Sequence, residues 1–131
     1  MQTTTAKTAA QLVAEAKQHI ENLTPDQVAA EVADGQPLLV DLREPEERAQ
    51  TGAIPGAVHA PRGMLEFYAD PASAYHRPEF DPSRRTILYC ASGGRSALAV
   101  GALQQLGYSN IAHLDGGLKA WTASGREVNQ A

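Results

Sequence analysis

A single cysteine, Cys90, in a chain of 131 residues rules out an internal disulfide. The fold therefore has no covalent staple, and no second thiol can resolve an oxidised or sulfur-loaded first one. Basic residues are also few: 11 Lys and Arg stand against 15 Asp and Glu, a net charge of −4. With no basic run and no aromatic platform, a nucleic-acid surface is excluded. No apolar stretch reaches the roughly 18 residues of a membrane span. Met1 to Ala10 is rich in Thr and Ala and lacks the apolar segment of a secretory signal. A cytoplasmic location with no membrane partner is expected. His19, His59, His76 and His113 share no ligand spacing, and there is no second cysteine, so no metal and no other cofactor is expected.

The apolar content, 43%, suffices for one core, and the length fits one domain. From Thr8 to Leu23, the residues Leu12, Val13, Ala16, Ile20 and Leu23 fall on one helical stripe. Residues 1–23 are accordingly read as an N-terminal helical extension, and residues 24–131 as the main domain. Thr24-Pro25-Asp26-Gln27 combines an N-cap, a proline at the first helical position and a capping-box glutamine. It predicts a helix running to Asp34 and stopped by Gly35.

Pro37–Leu42, Ala57–Ala60, Thr86–Cys90 and Asn110–Leu114 are short apolar runs, as in strands buried on both faces of a parallel sheet. Between and after them lie short helical stretches: Glu44–Gln50, Arg62–Tyr68, Ser96–Leu106 with Leu98, Ala102, Leu103 and Leu106 inward, and Leu118–Ala123. Alternating strands and helices give an α/β fold with a mainly parallel sheet covered on both faces.

Ligands of such sheets sit beyond the carboxyl ends of the strands. Asp41 and Arg43, Arg62, Cys90 and Asp115 each follow or end a different strand. A lone cysteine is ordinarily a small buried hydrophobe. Here it leads into Ala91, Ser92, Gly93, Gly94, Arg95 and Ser96, and then a helix. Two glycines let successive amides turn inward as an anion nest, the helix start adds its dipole, and Arg95 adds a full charge. Such surroundings lower a thiol pKa and make an exposed, ionised nucleophile. Asp41 is expected mainly to support the architecture. Arg43 and Arg62 either shape a positive field for an anionic donor or pair with Glu44 and Glu66. Trp121 is expected to be packing, and His59 a satisfied strand-end residue.

Three stretches resemble the rhodanese homology domain: Leu39-Val40-Asp41-Leu42-Arg43-Glu44 leading to Gly52-Ala53-Ile54-Pro55-Gly56-Ala57; Cys90 to Ser96 after an apolar strand; and Gly116-Gly117-Leu118-Lys119-Ala120-Trp121. The resemblance spans about Thr24 to Ser124 and implies a five-stranded, mostly parallel sheet with helices on both sides. It implies that Cys90 takes sulfane sulfur from a small anionic donor, thiosulfate or polysulfide, and hands it to an external thiol, a thioredoxin-like protein or cyanide. Arg62-Gly63 with Leu65-Glu66-Phe67, together with the Cys90 loop, looks closest to single-domain bacterial members. The N-terminal helix lies outside the resemblance and is a candidate surface for packing or for a second copy in a homodimer.

Two other readings compete. Related folds place Cys and Arg around phosphate or arsenate, but with one residue more between them than the four here, Ala91 to Gly94. A non-catalytic sulfur carrier that docks on a partner enzyme would keep the same Cys90 loop.

Overall fold

The computed structural model describes residues 5–131. Five strands, β1 (Glu21–Leu23), β2 (Leu38–Asp41), β3 (Val58–His59), β4 (Thr86–Tyr89) and β5 (Ile111–Leu114), form one sheet in the order β1-β5-β4-β2-β3. Every pairing between them is parallel, so all five carboxyl ends lie on one edge. Helices α1 (Ala9–Lys17), α2 (Pro25–Ala33), α3 (Pro45–Thr51), α4 (Leu65–Ala69), α5 (Gly94–Gln105) and α6 (Gly117–Ala123) complete the chain, with a 3-10 turn at Arg62–Met64. No helix among the described residues is long and apolar enough to cross a membrane.

β2, β4 and β5 are buried throughout, and alternate residues face two separate cores. Leu38, Val40, Leu88 and Cys90 pack with Leu65, Ala99, Val100 and Leu103 from α4 and α5. Leu39, Ile87, Tyr89 and Leu114 pack on the other side with Val28, Leu118 and Trp121 from α2 and α6. The helix signal at Thr24 is realised as read: Gln27 N donates to Thr24 Oγ1 (3.2 Å) and Thr24 N to Gln27 Oε1 (2.9 Å). Gly35 then leaves the helix in the left-handed region at φ 73°.

Two expectations need correction. The first helix stops at Lys17, and Leu23 belongs to β1, one of the two edge strands. Asn22 Nδ2 donates to the carbonyls of Lys17 (2.9 Å) and Ile20 (3.2 Å), closing the helix end. Pairing of Glu21, Asn22 and Leu23 with β5 then replaces further helical bonds. In α5, Leu98 is exposed, while Ser96, Ala97, Ala99, Val100 and Leu103 face inward. This helix is apolar on most sides, so periodicity alone does not select a face. The alanines and the serine let its backbone approach the sheet closely.

Candidate active site

β4 ends at Tyr89, and Cys90 is the next residue in the inward-facing series of Leu88. Its side chain is therefore carried into the core at the base of the loop, and the residue is only 1% exposed. The exposed thiol expected from sequence is not what the fold provides. The sulfur nonetheless meets donors: Gly93 N at 3.2 Å and Ser96 N at 3.4 Å. Gly93, at φ 102°, turns the chain into α5, which starts at Gly94, two residues earlier than the sequence suggests. That left-handed turn swings the Gly93 amide back onto the sulfur, as in an anion nest. Burial pushes the thiol pKa up, the amides of Ser96, Gly93 and Ser92 pull it down, and it lies below its ordinary value.

The sequence-designated charges have been placed as follows. Arg43, also 1% exposed, donates through Nε and Nη2 to Asp41 (3.1 and 2.8 Å) and through Nη1 to Thr51 Oγ1 (2.7 Å). It is a buried brace between β2 and the end of α3, paired with Asp41 and not with Glu44. Arg62 pairs with Glu66 at 2.6 Å. Arg95 lies beside the sulfur and is bound to Glu47 of α3, with Nη1 at 2.8 Å and Nη2 at 2.9 Å. These bonds hold the Glu47 carboxyl down at about 2. His59 Nε2 contacts the Arg43 carbonyl at 2.6 Å, and the buried Trp121 donates from Nε1 to Glu127 O at 2.9 Å. Asp115 pairs with Lys17 at 2.6 Å.

The loop is clamped from α6. Leu118 N donates to Cys90 O (2.9 Å) and Lys119 N to Ala91 O (3.0 Å). Two successive left-handed residues, Gly116 (φ 80°) and Gly117 (φ 61°), make this approach. A Cβ on Gly117 would lie 2.5 Å from Cys90 O and 2.6 Å from the Ala91 carbonyl carbon. Gly117→Ala is expected to cost about 2–5 kcal/mol, from the left-handed backbone plus overpacking. Gly107→Ala has a similar φ of 94° but open space around it, so it should lose only about 1–2 kcal/mol. Urea midpoints of the two variants check this, and equal losses would refute the steric clamp.

Two residues of the site had no role in the sequence reading. His113 of β5 is fully buried, with Nδ1 2.8 Å from Ser96 Oγ and Nε2 2.7 Å from Asn22 Oδ1. Burial pushes its pKa down to about 4. The available signal was a histidine within a four-residue strand otherwise apolar. Glu47, partner of Arg95, gave no local signal. Beside the loop a cleft of about 430 Å³ opens between α3 and α6, lined by Glu47, Gln50, Ala91, Leu118, Lys119 and Thr122 among others.

Known proteins resemble this chain in sequence and fold. A structure from Rhodopseudomonas palustris, described as a protein of unknown function and "Possible Tyrosine Phosphatase", superposes with a TM-score of 0.89 at 37% identity, covering 98% of this chain and 99% of that one. A putative mitochondrial thiosulfate sulfurtransferase of Schizosaccharomyces pombe is 32% identical over 96 residues, 68% of this chain and 66% of its own length. A probable adenylyltransferase/sulfurtransferase, MoeZ, of Mycobacterium tuberculosis is 32% identical over 100 residues, 76% of this chain. The match spans only 24% of that longer protein. Residues 24–124 match the family model of the rhodanese-like domain. With the parallel five-stranded sheet, the cysteine at the carboxyl end of its central strand and the amide-lined loop after it, the chain belongs to the rhodanese-like domain family.

Proposed function

We propose that the protein is a sulfurtransferase that moves sulfane sulfur from thiosulfate or polysulfide to an external thiol or cyanide through a persulfide on Cys90. The observation that carries this reading is the pair of amides, Gly93 N and Ser96 N, directed at a lone sulfur whose neighbouring arginine is already occupied by Glu47. The Cys90 thiolate attacks the outer sulfur of thiosulfate, an S–S bond forms, and sulfite leaves with the electron pair of the broken bond. With polysulfide the leaving group is the chain shortened by one sulfur. The charge of the thiolate reappears on the outer sulfur of the persulfide, about 2 Å further out, where backbone amides can still receive it.

An acceptor nucleophile then takes that outer sulfur and restores the thiolate. The chain has no second cysteine, so the acceptor comes from outside and the cycle is ping-pong. Lys119, exposed at the rim of the cleft, supplies positive charge for an anionic donor or acceptor.

The phosphatase reading is favoured by the R. palustris description. Against it, arginine commonly binds phosphate with both guanidinium arms, and here both arms of Arg95 reach Glu47. Intact mass after treatment with thiosulfate or polysulfide tests the proposal. The protein should gain one sulfur atom, lose it again on addition of cyanide, and gain nothing after prior alkylation of Cys90. Absence of the adduct with both donors would overturn it.

A further inference from the structure

Behind Cys90, polar groups from three elements form a line that the sulfur chemistry above does not use. Cys90 Sγ lies 3.6 Å from Ser96 Oγ, Ser96 Oγ 2.8 Å from His113 Nδ1, and His113 Nε2 2.7 Å from Asn22 Oδ1. Direction in this line is fixed from its far end. Asn22 Nδ2 donates to two carbonyls, those of Lys17 and Ile20, so its Oδ1 must be the atom facing the imidazole. That oxygen can only accept, which places the imidazole hydrogen on Nε2. His113 is buried and neutral at physiological pH, its pKa lying at about 4. Nδ1 therefore carries a lone pair and needs a donor, and Ser96 is the group within reach.

Ser96 has one hydroxyl hydrogen and three claimants, the imidazole at 2.8 Å, the Gly93 carbonyl at 3.4 Å and the sulfur at 3.6 Å, and the imidazole is the nearest. We propose that His113, locked in one tautomer by Asn22, is a positioning residue that draws the Ser96 hydroxyl hydrogen away from Cys90. Ser96 then shows the sulfur its lone pairs, which accept from a thiol S–H and give nothing to a thiolate. Stabilisation of the charged sulfur is left to the amides of Gly93 and Ser96. Since a thiolate of very low pKa is a weaker nucleophile, the arrangement keeps Cys90 reactive as well as ionisable. The charged groups around the line are Lys17 and Asp115 near His113, and Arg95 with Glu47 near Cys90, each pair joined in its own salt bridge. Neither pair replaces the Asn22 contact as the determinant of the tautomer.

The inference rests on Cys90 as the reacting thiol, but its test needs no sulfur donor, so the two can fail separately. The ultraviolet absorbance of the thiolate is followed against pH in the wild type, His113→Leu, Ser96→Ala and the double variant. With one cysteine in the chain, a single thiolate contributes to the signal. Removing the imidazole frees the hydroxyl to donate to the thiolate, so His113→Leu should lower the midpoint by about one pH unit. The same substitution should have no effect when Ser96 is already alanine. A shift in both backgrounds, no shift, or an upward shift would overturn the proposal. Should His113→Leu not fold, nitrogen NMR of the wild-type imidazole decides: a hydrogen on Nε2 supports the assignment, and one on Nδ1 refutes it.

Discussion

Cys90→Ser is expected to reduce sulfur transfer from thiosulfate to cyanide by at least about a thousandfold, the scale on which removal of a catalytic nucleophile acts. An oxygen in place of sulfur fits the same cradle, with Gly93 N and Ser96 N still aimed at it. The fold should therefore survive, and the loss isolates the chemistry. Serine is negligibly ionised in that position, whereas the thiol of Cys90 sits below its ordinary value despite burial. Steady-state thiocyanate formation checks the prediction, with the thermal midpoint as a control for folding. Retained transfer would remove Cys90 from the mechanism. Hydrolysis of an aryl phosphate that disappears in Cys90→Ser would instead favour the phosphatase reading.

Burial of the sulfur gives the loop a specific task. A donor cannot reach a thiol that is 1% exposed unless the chain at Ala91 and Ser92 yields, yet the two ends of that segment are held. The carbonyls of Cys90 and Ala91 accept from α6, and Gly93 opens α5. That leaves the tip of the loop, where Ser92 is exposed, as its least restrained part. On the proposed function, the cleft beside Ala91 is the side from which a donor or acceptor approaches.

Much of this was legible in the chain. Short apolar runs give buried parallel strands because both faces are covered, and β2, β4 and β5 follow that rule residue by residue. The Cys90 loop declared itself through its glycines and the helix after it. β1 did not, because Glu21 and Asn22 are polar edge residues and the stripe from Leu12 to Leu23 imitates one longer helix. The burial of Cys90 could have been inferred by counting two residues on from Leu88, since alternate residues of a strand share a face. The role of Arg95 could not. It is set by a partner brought up by tertiary structure, Glu47, which lies 48 residues away, and local sequence carries no record of such a meeting.

Asp41→Ala is expected to destabilise the protein by about 3–5 kcal/mol, the usual cost of leaving a buried ion-pair partner uncompensated. Asp41 has no exposed surface and accepts from five donors: Arg43 N at 2.9 Å, Arg43 Nε at 3.1 Å, Arg43 Nη2 at 2.8 Å, Arg48 Nε at 3.2 Å and Tyr89 Oη at 2.8 Å. Tyr89 Oη in turn accepts from Ile54 N at 3.1 Å. The carboxylate thus ties β2, β4, α3 and the segment leading to β3 together beneath the site. Burial opposes its ionisation, but the bonds from Arg43 and Tyr89 prevail, and its pKa lies below the ordinary carboxylate value. A depressed pKa means that this stabilisation is complete above the unfolded value of about 3.9. It is lost as pH falls through the folded value, because the unfolded chain then binds the proton more readily. The variant should therefore lack this part of the acid-induced loss as well as the stability itself. Urea midpoints at neutral and acidic pH measure both. Asp41→Ala combined with Arg43→Met, which removes the orphaned charge, should recover a substantial part of the loss. If the double variant is no more stable than Asp41→Ala alone, the brace is not the source of the effect.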